Sequence, residues 1–203
     1  MEMPGLVLFD VGNVLVYLNP LHAALPLEAL SHGAGPNSQL DEVVEAFRGS
    51  SLVERFERGL ASAPEFCAGV RAAFRSSLSD EEIARRYVRV LGAEIPGMLP
   101  LIDDLKRKGV RVAALSNTDP IHLEVILKYR TVKSLETVIA SCAIGRKKPA
   151  PEAFVEALQR LDADPDETYF TDDLLTNVEG ARTAGIRADV FKGPDALRRT
   201  LGL

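Results

Sequence analysis

The sequence predicts an α/β protein built on a doubly wound parallel sheet, with an all-helical segment inserted after the first strand. Three observations carry this expectation: short apolar runs that stop abruptly at polar residues, helix-spaced apolar patterns between them, and a stretch, 21–90, without any strand-like run. Apolar runs without alternation are what strands buried on both faces require. Strands alternating with helices imply a parallel sheet covered on both sides.

In chain order, Leu6-Val7-Leu8-Phe9 reads as the first strand, which places Asp10 at its carboxyl end. The following segment has apolar residues at helical spacing (Val43, Val44, Phe47; Ala72, Ala73; Ile83, Tyr87, Val90) and loop signals at 31–38 and 60–64. A helix over 100–108, closed by Gly109, leads into strands at 110–115 and 137–140. A helix at 151–161, a strand at 168–171, a helix at 177–184 closed by Gly185 and a fifth strand at 186–191 follow. Two units result: a core made of 1–18 and 92–203, and a helical insertion over 19–91.

The 203 residues suffice for one core carrying a smaller insertion. With 46% hydrophobic and 26% charged residues, the whole chain is expected to fold. The net charge of -5 offers no basic field for a nucleic-acid backbone. The chain displays neither a signal-like start nor a bilayer-length apolar run, so the expectation is a cytoplasmic protein without a membrane partner. Cys67 and Cys142 lack metal or redox spacing and are expected to be small buried residues. His22, His32 and His122 belong to no ligand pattern and are expected to be structural.

Ligands of open parallel sheets bind outside the carboxyl ends of the strands. Those ends carry Asp10, then Ser116-Asn117-Thr118, then Lys147-Lys148-Pro149, then Asp172-Asp173. Paired carboxylates facing Asp10 suit a hard cation such as Mg2+, and a hydroxyl, an amide and an ammonium suit a phosphate. Each also has a plain structural explanation. Asp10 can begin a turn, Ser116-Asn117-Thr118 can cap a helix before Pro120, and the lysines can be surface charge.

Taken together, Phe9-Asp10-Val11-Gly12-Asn13-Val14-Leu15, Leu115-Ser116-Asn117-Thr118, Lys148-Pro149 and Asp172-Asp173 resemble the four ordered motifs of the haloacid dehalogenase superfamily. With Phe56-Glu57-Arg58-Gly59 and the 177–181 motif (Asn177, Glu179, Gly180, Ala181), they resemble more narrowly the branch containing the bacterial alpha-glucose-1-phosphate phosphatase. The resemblance implies a Rossmann-like core under a helical cap, and a magnesium-dependent phosphatase acting on a small phosphorylated metabolite, a sugar phosphate among the candidates. It implies a monomer or homodimer. Asp10 would attack phosphorus, with the metal held by Asp10, the Gly12 carbonyl, Asp172 and Asp173. Ser116, Asn117 and Lys148 would bind phosphoryl oxygens, Lys148 also countering charge in the transition state, with Lys147 its solvated neighbour. The cap would close over the substrate. Its Arg48, Arg55, Glu57 and Arg58 are more simply explained as solvated or salt-bridged than as substrate contacts.

One position departs from the pattern. Most phosphatases of the superfamily carry a general acid/base aspartate two residues after the nucleophile, and Gly12 stands there instead. The glycine either meets a backbone need for positive φ or leaves room for another proton carrier, for which Tyr17, the neighbourhood of Asn19 and Glu57 are the places to look. Gly12 is equally compatible with a 2-haloacid dehalogenase, whose halide leaves unprotonated, and with a phospho-ligand binding protein that has lost turnover. Asp172-Asp173 speak against the dehalogenase, because attack at a neutral carbon–halogen centre needs no divalent cation.

Overall fold

The computed structural model describes residues 3–19, 47 and 49–203. Val43, Val44, Arg48, His22, His32 and the 31–38 loop lie outside the described residues. In chain order the elements are strands β1 (Leu6–Phe9) and β2 (Val16–Leu18), helices α1 (Ser51–Glu57), α2 (Ala63–Phe74) and α3 (Asp80–Tyr87), a 3-10 turn (Val88–Val90) and strand β3 (Leu91–Glu94). There follow α4 (Met98–Arg107), β4 (Arg111–Ser116), α5 (Pro120–Ile126), α6 (Arg130–Lys133), β5 (Val138–Ala140), α7 (Ser141–Ile144), α8 (Pro151–Leu161), β6 (Thr168–Asp172), α9 (Leu175–Thr183), β7 (Arg187–Val190) and α10 (Pro194–Leu201).

Five strands pair in the order β5-β4-β1-β6-β7, all parallel. The side chains of β1 alternate between two cores, as the period of two requires. Val7 and Phe9 pack with Met98, Leu101, Ile102 and Leu105 of α4 and with Leu197 and Leu201 of α10. Leu6 and Leu8 pack with Phe154, Ala157 and Leu158 of α8 and Val178 and Ala181 of α9. Because β1 is central and the chain winds away from it on both sides, the carboxyl ends of β4, β1 and β6 border one crevice. The five strands and the helices at 100–108, 151–161 and 177–184 thus fall within a residue or two of their expected places.

Two strands were not foreseen. β2 and β3 form an antiparallel ribbon of three and four residues, Val16 opposite Glu94 and Leu18 opposite Leu91. It is the stalk on which the chain leaves and re-enters the core, only a few residues beyond Asp10. The described residues between the two strands are helical, with caps legible in the sequence: Ser50, Ser62 and Ser79 each accept a backbone N–H of the first turn of α1, α2 and α3. Their apolar faces (Val53, Phe56, Phe66, Cys67, Val70, Ile83) form a third, separate core. Among the described residues, no helix is long and apolar enough to cross a membrane.

Candidate active site

Asp10 follows β1 directly, and its N–H donates to Thr171 O of β6 (2.9 Å), which locks the residue onto the neighbouring strand. Its carboxylate meets the buried ammonium of Lys148, whose Nζ donates to Asp10 Oδ1 (2.5 Å) and to Asp172 Oδ2 (2.7 Å). Asp10, Asp172 and Asp173 each place one carboxylate oxygen within 4.8 Å of the others. Burial, held in check by the Lys148 charge but aided by that of Asp172, pushes the Asp10 carboxyl up to about 6. Burial likewise raises Asp173, against a hydrogen bond from Asn13. For Lys148, burial opposes the charged form, yet the two carboxylates it touches outweigh this and raise its pKa. The lysine is a fixed cation.

The two neighbouring aspartates are not equivalent. Asp172 is fully buried and its acceptor sites are taken: Oδ1 accepts from Leu174 N–H (2.9 Å) and Asn177 Nδ2 (3.0 Å), and Oδ2 from Lys148 and the same Asn177 amide (3.0 Å). Asp173 is half-buried and accepts from Asn13 Nδ2 (2.9 Å). Asn13 adopts the left-handed φ of 53°, while its Oδ1 accepts from Leu18 N–H (3.0 Å) on β2. Asn13 and Asn177 lie inside the motifs that drew attention in the sequence, but nothing there assigned them a partner.

Asn117 also differs from expectation. Its Nδ2 donates to Lys148 O (2.8 Å) and its Oδ1 accepts from Lys148 N–H (2.9 Å), so the side chain grips the lysine backbone instead of lying open to a phosphate. Ser116, at the end of β4, is buried and borders the crevice. The helix α5 is capped by Asp119, whose Oδ1 accepts from Ile121 and His122 N–H, and not by Ser116-Asn117-Thr118. Gly180 explains part of the 177–181 motif: a Cβ there would lie 2.1 Å from Pro149 O, so only glycine lets α9 approach the Lys148-Pro149 loop.

Lys147 is not a solvated neighbour. Its ammonium pairs with Glu54 (2.7 Å) and Glu57 on α1, joining the core to the inserted helices. The same docking uses Ser141 Oγ, which donates to Glu57 O (2.7 Å), and Arg58 Nε, which donates to Gly145 O (3.2 Å). Gly59 sits at φ 66° where a Cβ would strike Cys142 O at 2.2 Å. Arg55 donates to Leu60 O (3.1 Å) within its own segment. His122 has more to do than fill a core. Its Nδ1 lies 2.7 Å from Asp119 Oδ2 and its Nε2 3.1 Å from Tyr87 O, and it lines the central cavity. Burial disfavours its charge, but Asp119, the Tyr87 carbonyl and the charge of Glu57 together raise its pKa. Cys67 and Cys142 are free, with thiols pushed up by burial.

Gly12 is not among the glycines at positive φ; the left-handed position belongs to Asn13. A Cβ at residue 12 would come within 2.8 Å of Leu18 Cδ1, so a side chain there asks only that the end of Leu18 shift. Tyr17 is 49% exposed; among the described residues of the three candidate places for a proton carrier, Glu57 is the acid that lines the cavity, and its carboxylate is tied to Lys147.

A buried lysine, a strand-end carboxylate and two further aspartates at the switch point of a parallel sheet form a charged crevice of the kind a hydrolase of anionic substrates uses. The comparisons agree with that class. The family model for haloacid dehalogenase-like hydrolases matches residues 4–185, and the chain belongs to that family. It superposes on a HAD family enzyme from Bacteroides thetaiotaomicron with a TM-score of 0.83 and 25% identity over 98% of both chains. That enzyme's complex with magnesium and inorganic phosphate matches with a TM-score of 0.79 and 27% identity, over 92% of this chain and 93% of that one. Pyrophosphatase PpaX of Bacillus cereus is 28% identical over 182 residues, covering 89% of this chain and 80% of that protein. Protein SUPPRESSOR OF QUENCHING 1 of Arabidopsis thaliana is 25% identical over 209 residues; the chain, matched over 97% of its length, spans 20% of that larger relative.

Proposed function

We propose that the protein is a magnesium-dependent phosphatase that passes the phosphoryl group of a small monoester first to Asp10 and then to water. The observation that carries this reading is the placement of Lys148 Nζ against Asp10 Oδ1 (2.5 Å), with Asp173 opening onto the same crevice. An all-oxygen donor set of converging carboxylates, raised at Asp10 and Asp173 by burial with a smaller push from Asp172, fits a hard divalent cation. Asp10, Asp173 and the Gly12 carbonyl would hold it, with Asp172, saturated by hydrogen bonds, serving chiefly to fix Lys148. When bound, the ion would screen the repulsion between the Asp10 carboxylate and the anionic phosphate.

In the first step an Asp10 oxygen bonds to phosphorus while the ester oxygen departs with its electron pair, leaving an aspartyl-phosphate. Lys148 places its charge where the phosphoryl oxygens gather negative charge, and the Ser116 hydroxyl borders the same place. Water then attacks phosphorus, releasing phosphate and restoring Asp10. The helices between β2 and β3 act as the cap in this reading, dividing the chain into a core of 1–18 and 92–203 and a cap of 19–91. The complex of the Bacteroides relative with magnesium and phosphate and the pyrophosphatase relative support the reaction class. The glycine at 12 and the 177–181 motif support the alpha-glucose-1-phosphate phosphatase branch for the core motifs. The converging carboxylates weigh against a 2-haloacid dehalogenase, since displacement of halide would not call for them.

The test is a panel of phosphate monoesters assayed with Mg2+ and with a chelator, on the wild type and on Asp10→Asn. Turnover that needs both the metal and Asp10 supports the reading. Metal-independent release of halide from a 2-haloacid would replace it.

A further inference from the structure

The cavity that starts at Asp10 and Lys148 encloses ≈ 430 Å³ and extends under the inserted helices. Its two ends differ in chemistry. Beyond the Asp10 loop its walls are the inserted helices' Val53, Val70 and Ile83 with Tyr87 and Val90, and it continues into the aromatic cluster of α2. Among the described residues, the polar side chains at that end are already committed: Glu57 to Lys147, and His122 to Asp119 and the Tyr87 carbonyl. The hydroxyl of Thr118, buried and without a partner, is the exception. Among the described residues that end thus offers one free hydroxyl, a poor match for the several hydroxyls of a sugar, which lose water on entry.

Resting on the phosphatase reading above, we infer that the substrate is a phosphate monoester of an apolar alcohol, aromatic or aliphatic, and not of a polyhydroxylated sugar. The apolar body lies against Tyr87 and Val90 while the phosphate faces Lys148.

The experiment pairs turnover with binding. Benzyl phosphate and glycerol phosphate both leave as primary alcohols, so their kcat/KM ratio reads the cavity and not the leaving group. Benzylphosphonate and the phosphonate analogue of glycerol phosphate, titrated in the presence of Mg2+, read the same preference without chemistry. The expected preference for the benzyl compounds is about 10- to 100-fold in both, the order set by one unmatched buried hydroxyl. Val90→Asn, checked by its melting curve and replaced by Val90→Thr if it melts early, should shrink that preference several-fold. Equal or better binding of the glycerol phosphonate overturns the inference, and so does a benzyl preference that neither Val90 variant alters. A benzyl preference in binding with no Asp10-dependent turnover upholds the inference and overturns the phosphatase reading alone.

Discussion

Asn117 holds Lys148 by both of its backbone polar groups, donating to the carbonyl at 2.8 Å and accepting from the N–H at 2.9 Å. The lysine's ammonium is thereby delivered to Asp10 from a loop whose path one amide side chain fixes. Asn117→Ala removes both bonds. It should lower kcat by roughly 10²-fold, comparable to loss of one preorganised transition-state donor, and cost about 1–3 kcal/mol of stability from the unpaired Lys148 groups. Steady-state kinetics and urea titration check this; unchanged kcat would mean the lysine needs no such hold.

Asp172 and Asp173, adjacent in sequence, should fail differently. Asp173→Ala should raise the Mg2+ concentration needed for half-maximal activity at least tenfold with little change in melting temperature. Asp172→Ala removes a buried partner of Lys148 and unpairs Asn177, so it should destabilise the fold by about 3–5 kcal/mol. Magnesium titrations and thermal melts of the two variants separate the roles.

His122 should make stability pH-dependent. Its folded-state pKa lies above the unfolded value of about 6.5, because Asp119 and the Tyr87 carbonyl together overcome burial. The stabilisation is therefore complete below about pH 6.5 and is lost as pH rises through the folded-state value. Relative to His122→Gln, the wild type should lose unfolding free energy as pH rises above about 6.5. Parallel curves over that range would show that the imidazole is neutral in the fold.

Gly12 should govern the response to leaving groups. Lacking the assistance worth ~10²- to 10⁴-fold, the enzyme should turn over nitrophenyl phosphate far faster than alkyl phosphates. Gly12→Asp should flatten that dependence, best in company with Leu18→Ala, since Leu18 Cδ1 fills the space the new Cβ needs. A shallow dependence in the wild type would place proton transfer on another residue, and Glu57, bordering the cavity, would be the first to mutate.

Asp10, Ser116, Asp172 and Asp173 were legible because each stands where an apolar run stops, and a parallel sheet brings such ends together whatever lies between them; Lys148, in the loop beyond β5 and α7, was legible through the Lys148-Pro149 motif. Side-chain partners were not legible. The motif marks Lys148 but says nothing of Lys147, whose partners Glu54 and Glu57 lie far away in the chain, and His122 finds the Tyr87 carbonyl 35 residues away through a backbone group that any residue would supply. The stalk strands β2 and β3 were missed because, unlike β1, they are only partly buried, and Leu91–Glu94 forms no continuous apolar run. At Gly12 the expectation of a possible backbone constraint gave way to a contact that the end of Leu18 can relieve, with Asn13 carrying the left-handed turn.

The most direct test is to quench the protein in acid during turnover of a phosphate ester with Mg2+ and weigh it by intact-protein and peptide mass spectrometry. One phosphoryl group should appear on the peptide containing Asp10, accumulating because no carboxylate at position 12 assists its hydrolysis, and it should be absent from Asp10→Asn. Full turnover by Asp10→Asn, or a phosphoryl group found on any other residue, would contradict the covalent mechanism.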